Sequence, residues 1–211
     1  MSKSRSSSLS AHAAALSSKS TANQSKFFKT LGEDIWKNKI EKINAELFVM
    51  TYGVIVQQLC QDLNNDYIKI NENLFSMGYN IGVRLIEDFL ARTALPRCPN
   101  MTMTSEVISK VAFKIFLNIT PQIENWNTNR DSFSIILTEN PLTEFVELPQ
   151  DAMKQLWYSN IICGVLKGAL EMVQLDCDVN FMTDVLRGDL TTEIKIKLNK
   201  ILKDEIPLGE D

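Results

Sequence analysis

Apolar residues recur every three or four positions through most of this chain, and Asn, Pro and Gly interrupt the pattern at a few places. Phe27, Phe28, Leu31, Ile35 and Trp36 fall at helical spacing and mark 27–42 as a helix-compatible segment that docks on the body. Ile43, Leu47, Met50, Val54, Ile55, Gln58 and Leu59 continue a helical stripe to about 63, where Asn64-Asn65-Asp66 interrupts it. Ile70, Leu74, Met77, Ile81, Leu85 and Phe89 predict a long amphipathic helix over 68–92. The run Leu95-Pro96-Arg97-Cys98-Pro99 ends it, since each proline disfavours helical geometry in the residue before it, and Cys98 is left on a short, stiff connector. Thr104 or Ser105, followed by Glu106, opens another helix to about 117, closed by Ile119-Thr120-Pro121.

The period then changes. Residues 131–137 (DSFSIIL) and 144–148 are short β-rich runs around the turn signal Glu139-Asn140-Pro141, and predict paired antiparallel strands. Ile161/Ile162, Val165/Leu166, Ala169/Leu170 and Val173 predict a helix over 153–174. Residues 177–186 and 191–198 read as a final hairpin about Arg187-Gly188-Asp189, with Ile194, Ile196 and Leu198 alternating against Lys195, Lys197 and Asn199. The order ααα-ββ-α-ββ predicts an α+β fold, with helices on one face of a small antiparallel sheet.

Composition narrows the chemistry. Residues 1–26 are rich in Ser and Ala, basic and free of aromatics, and are expected to form a disordered tail ahead of a single domain over 27–211. The first 32 residues carry five cations and no acid, so a total charge of −4 leaves −9 on the remainder. An acidic body argues against nucleic-acid binding, which needs a clustered basic face. The longest apolar runs are about four residues, far short of a membrane span. His12 is the only histidine and lies in the tail, so the core offers no histidine triad, zinc site or acid–base relay. There is no GxxxxGK phosphate loop. Four cysteines without a CxxC pair read as reduced thiols, as in a cytosolic protein.

Four features stand out beside this pattern. Gly78/Gly82 and Gly164/Gly168 each lie four apart on a helical face, where tight helix packing or a narrow internal slot would explain them. Cys98 follows Arg97, with Arg92 upstream, a cationic setting that favours thiolate, although no histidine can activate it for catalysis. Asp88 lies four residues from both Arg84 and Arg92, the spacing of helical ion pairs. The acidic end of the chain, 203–211, is expected to project from the body and could compete by charge in a partner's phosphate site.

The segments MGYNIGVRLIEDFLARTALPRC (77–98), KVAFKIFLNITP (110–121), NPLTEFVELP (140–149), YSNIICGVLKGALEMVQ (158–174) and EIPLGED (205–211) together resemble the small palmitoylated core subunit of TRAPP, the transport protein particle, in a yeast-like form. The resemblance implies a non-catalytic scaffold in a vesicle-tethering complex that supports guanine-nucleotide exchange on a Rab-type GTPase between endoplasmic reticulum and Golgi. Its implied partners are other small TRAPP subunits, a second copy of itself, the GTPase and, indirectly, the vesicle coat and Golgi membrane surface. Its implied location is cytoplasmic, peripheral at the cis-Golgi and endoplasmic reticulum. It also implies a covalent palmitate on Cys98 inside a hydrophobic tunnel lined at Ala112, with Gly82 in a similar part, and a GTPase contact through Glu210. No other cofactor and no metal are expected. A stand-alone acyl-chain carrier using the same tunnel is the alternative.

Overall fold

The computed structural model describes residues 21–202. Helix α1 (Thr21–Asn38) inserts Phe28 and Ile35, both fully buried, against the body. It begins inside the expected tail: residues 21–26 are its opening turns, held by contact between the Ser25 hydroxyl and the Lys110 ammonium. Residues 1–20, with His12, lie outside the described part.

Helix α2 (Ala45–Asp62) is capped by the Asn44 side chain, which accepts from the Leu47 amide. It buries Val49, Tyr52 and Val56, and the Tyr52 hydroxyl donates to the Tyr158 carbonyl. The stripe of Leu47, Met50 and Val54 read from the sequence is the opposite, exposed face. Helix α3 (Tyr67–Thr93), capped by Asp66, ends at Ala94 in the left-handed region. Its buried line runs from Ile70 and Leu74 through Gly78 and Gly82 to Phe89, so Met77 and Ile81, expected in the stripe, stay partly exposed.

Helix α4 covers 101–117. It begins at Met101, earlier than the Thr104 or Ser105 start expected, because Asn100 caps it by accepting from the Met103 amide. Two α-helical pieces, Met101–Val107 and Phe113–Leu117, flank a π-helical turn, Ile108–Ala112. Asn118 in the left-handed conformation stops it before Pro121.

The antiparallel sheet has the order β1-β2-β4-β3, from strands β1 (Gln122–Glu124), β2 (Ser132–Leu137), β3 (Leu175–Thr183) and β4 (Thr192–Ile201). Ile194 and Ile196 of β4 are fully buried, while Lys195 and Lys197 face outward, as the alternation requires. The strand expected at 144–148 does not form. Asn140 instead caps a 3-10 turn, Pro141–Thr143, by accepting from the Leu142 amide, and anchors it by donating to Ser159 Oγ at 2.8 Å. Strand β1 takes the place beside β2.

The helix expected over 153–174 is two helices, α5 (Gln150–Met153) and α6 (Asn160–Met172). Asn71 of α3 holds the break: its side chain donates to the Gln155 carbonyl and accepts from the Trp157 amide, both at 2.8 Å. Helices α3 and α6 form the most extensive helix pair, and α6 lies along β3. One core joins this pair to the sheet, and a second lies between α1, α3 and α4.

Candidate functional site: an apolar cavity at Cys98

The α3–α6 pair can approach closely because glycines face each other across it. A Cβ on Gly78 would lie 2.1 Å from the Ile161 carbonyl oxygen, and one on Gly164 would lie 2.1 Å from that of Phe75. The glycines thus set backbone against backbone, and tight packing is the explanation for both pairs. Gly82 belongs to this crossing, where its Cβ would meet the Val165 carbonyl oxygen at 2.2 Å, and it is not among the residues lining the cavity beside it.

That cavity, of about 130 Å³, lies where α3, α4 and α6 diverge. Leu85, Phe89, Val107, Ala112, Phe116 and Ala169 contribute to a lining that is almost wholly apolar. Ala112 sits at the last position of the π-turn. Cys98 borders the cavity from the proline-stiffened connector.

The cationic setting expected for Cys98 is not the one it has. Arg97 also borders the cavity, but its guanidinium is engaged by the Gln174 side chain. Arg92 is engaged by the Asp88 carboxylate at 2.6 Å and donates to the Lys39 carbonyl at 2.9 Å. Burial pushes the Cys98 thiol above its ordinary pKa, opposed in part by a hydrogen bond with the Thr104 side chain. The thiol is therefore a protonated, apolar-facing group at neutral pH, suited to carry an apolar adduct and poorly suited to nucleophilic catalysis. Cys163 and Cys177 are buried, Cys177 with its pKa pushed up to about 12, and Cys60 is partly buried on α2. Of the four cysteines only Cys98 borders this cavity.

Among the described residues there is no cluster of side chains able to hold a metal, and no helix is long and apolar enough to cross a membrane. Glu210 lies outside the described residues.

A helix-rich α+β chain with interlocked α3 and α6 and an apolar cavity bordered by one cysteine defines a class, and the sequence match agrees: residues 48–197 match the family described as Transport protein particle (TRAPP) component, and this chain belongs to that family. It is 72% identical over 191 residues to the trafficking protein particle complex subunit BET3 of Saccharomyces cerevisiae, covering 90% of this chain and 99% of that one. It is 57% identical over 181 residues to the transport protein particle subunit bet3 of Schizosaccharomyces pombe, covering 86% and 97%. A solved structure of trafficking protein particle complex subunit 3 from Naegleria fowleri, covalently bound to palmitic acid, superposes with a TM-score of 0.74 at 44% identity, covering 78% of this chain and all of that one. The fold read from the sequence is the fold of that subunit.

Proposed function

We propose that this chain is a core scaffold subunit of the TRAPP vesicle-tethering complex and carries a palmitoyl thioester on Cys98 within the apolar cavity. The observation that carries the reading is an apolar cavity bordered by a single cysteine, in a member of this family. At about 0.8 kcal/mol per buried methylene, enclosing such a chain contributes on the order of 10 kcal/mol, a strong reason to keep the lipid inside.

Assembly is the role of the exposed apolar face. Leu47, Met50 and Val54 are each more than 60% exposed along one side of α2, with Ile68 and Ile81 exposed on neighbouring α3. A row of this kind marks a protein interface, and it suits other small TRAPP subunits or a second copy of this chain. Within the complex the chain supports guanine-nucleotide exchange on a Rab-type GTPase without a catalytic group of its own. It acts at the cytoplasmic face of the cis-Golgi and endoplasmic reticulum. Glu210 would supply a carboxylate that repels phosphate and bound magnesium nucleotide. Glu210→Ala should then slow exchange by the assembled complex without dissociating it, and an unchanged rate would remove Glu210 from the mechanism.

The direct test is intact-mass spectrometry of the protein from a eukaryotic host, before and after neutral hydroxylamine. A palmitate-sized mass that is lost on treatment and maps to Cys98 supports the reading. A bare thiol refutes the lipid part and leaves the scaffold role to co-purification with TRAPP subunits. An acyl group that exchanges freely with added fatty acid would favour a stand-alone carrier.

A further inference from the structure

The cavity is small for the group proposed to fill it. Its volume is about 130 Å³, and a cavity of about 150 Å³ lined by similar side chains holds one benzene ring. A sixteen-carbon chain needs more room, so at least one wall must yield.

The two long walls differ in their capacity to do so. The α3–α6 side is backbone pressed on backbone at Gly78 and Gly164, with no side chain between them to change rotamer. On the other side α4 is a single helix thick. Val107, Ala112 and Phe116 line the cavity, while Val111 and Ile115 are buried in the second core with Phe28 and Ile35 of α1. This wall also carries the irregular turn: the Phe113 amide donates to the Ile108 carbonyl, five residues back. The turn is where α1 grips it, since Gly32 lies so close that a Cβ there would be 2.2 Å from the Lys110 carbonyl oxygen.

We propose that α1 and α4 form the movable wall of the acyl cavity, hinged at the π-turn, so that occupancy at Cys98 and the docking of α1 are coupled. The proposal rests on the acyl reading above. An acyl chain displaces the wall outward and α1 follows; in reverse, loosening α1 exposes the thioester. The coupling must run both ways, because it is one free energy seen from two sites.

The test compares hydrogen–deuterium exchange of the full chain acylated at Cys98 with the same preparation after hydroxylamine. Amides in 21–38 and 108–117 should differ several-fold between the two forms, while 78–82 and 164–168 stay the same. Gly32→Ala should speed thioester cleavage by hydroxylamine at least about fivefold, the lower end of ordinary couplings between sites. Phe28→Ala should act in the same direction through lost contact alone and serves if Gly32→Ala fails to fold. Exchange changes confined to α3 and α6, no change anywhere, or wild-type cleavage rates in a variant whose α1 exchanges faster would each overturn the coupling while the adduct still stands. Wild-type protein with no adduct would instead overturn the acyl reading on which the coupling depends.

Discussion

Gly78→Ala sets two effects of opposite sign against each other. On helix propensity alone, alanine in the middle of α3 should stabilise by about 1 kcal/mol. The added Cβ would lie 2.1 Å from the Ile161 carbonyl oxygen, whereas real Cβ contacts are essentially never under 3.0 Å, so α3 and α6 must part by roughly 0.9 Å. The obstacle is backbone, so no rotamer change relieves it, and overpacking of this kind costs about 3 kcal/mol. The net expectation is a loss of about 2 kcal/mol, which for a chain of this length lowers Tm by about 4–8 °C. Gly164→Ala meets the same seam from the other side, 2.1 Å from the Phe75 carbonyl oxygen. Once one substitution has separated the helices, the second should cost less, and the double variant should lose less stability than the two singles together. Denaturant unfolding of the four proteins measures this. A more stable Gly78→Ala, or strict additivity, would refute the claim that backbone contact holds this seam.

Other consequences are as open to measurement. Met50→Asp on the exposed face of α2 should leave monomer stability within about 0.5 kcal/mol while weakening partner association at least about tenfold in titration by sedimentation or light scattering. Cys98→Ser should abolish the hydroxylamine-labile mass yet yield soluble, cooperatively folding protein, since the hydroxyl nearly matches the thiol in size; aggregation would show that the connector needs its sulfur. Asp184 is buried, with one carboxylate oxygen unpartnered, and burial raises its pKa above the ordinary value of about 4. Its folded form holds the proton more tightly than the unfolded chain, so its stabilising contribution is full at low pH and is lost as pH rises from the ordinary aspartate range through the raised value. Asp184→Asn keeps an acceptor for the Leu186 amide and should flatten that slope, with a gain of about 1 kcal/mol at pH 7; an unchanged slope in urea melts would show that Asp184 is not responsible.

The helices were legible wherever apolar spacing coincides with burial, as along Ile70, Leu74 and Phe89. The same signal could not say which face of α2 turns inward. Both faces are apolar, and the buried one is chosen by Tyr52 reaching the Tyr158 carbonyl more than a hundred residues away. The break between α5 and α6 has the same origin, since Asn71 on another helix pairs with the Gln155 carbonyl and the Trp157 amide. Strand β1 is three residues long and carries too little pattern to read alone. Cys98 stood out through its prolines, but its surroundings did not: adjacent arginines suggested a cationic site, whereas the tertiary fold engages Arg92 with Asp88 and Arg97 with Gln174 and buries the thiol among apolar side chains. No local signal announces a π-turn at Ile108–Ala112.

The strand order has a consequence for how this protein is made. Strand β4, last in the chain among the described strands, pairs with β2 on one side and β3 on the other. Until residues 192–201 leave the ribosome, β2 and β3 have no common neighbour, and Phe133, Ile135 and Val179 lack the buried Ile194 and Ile196 that share their layer. The nascent chain therefore carries a half-built hydrophobic layer from the time β2 is made until β4 emerges, the condition in which chaperones find their clients. Early capture of this subunit by a partner cannot rely on the sheet, and the helical face of α2 is the surface available first.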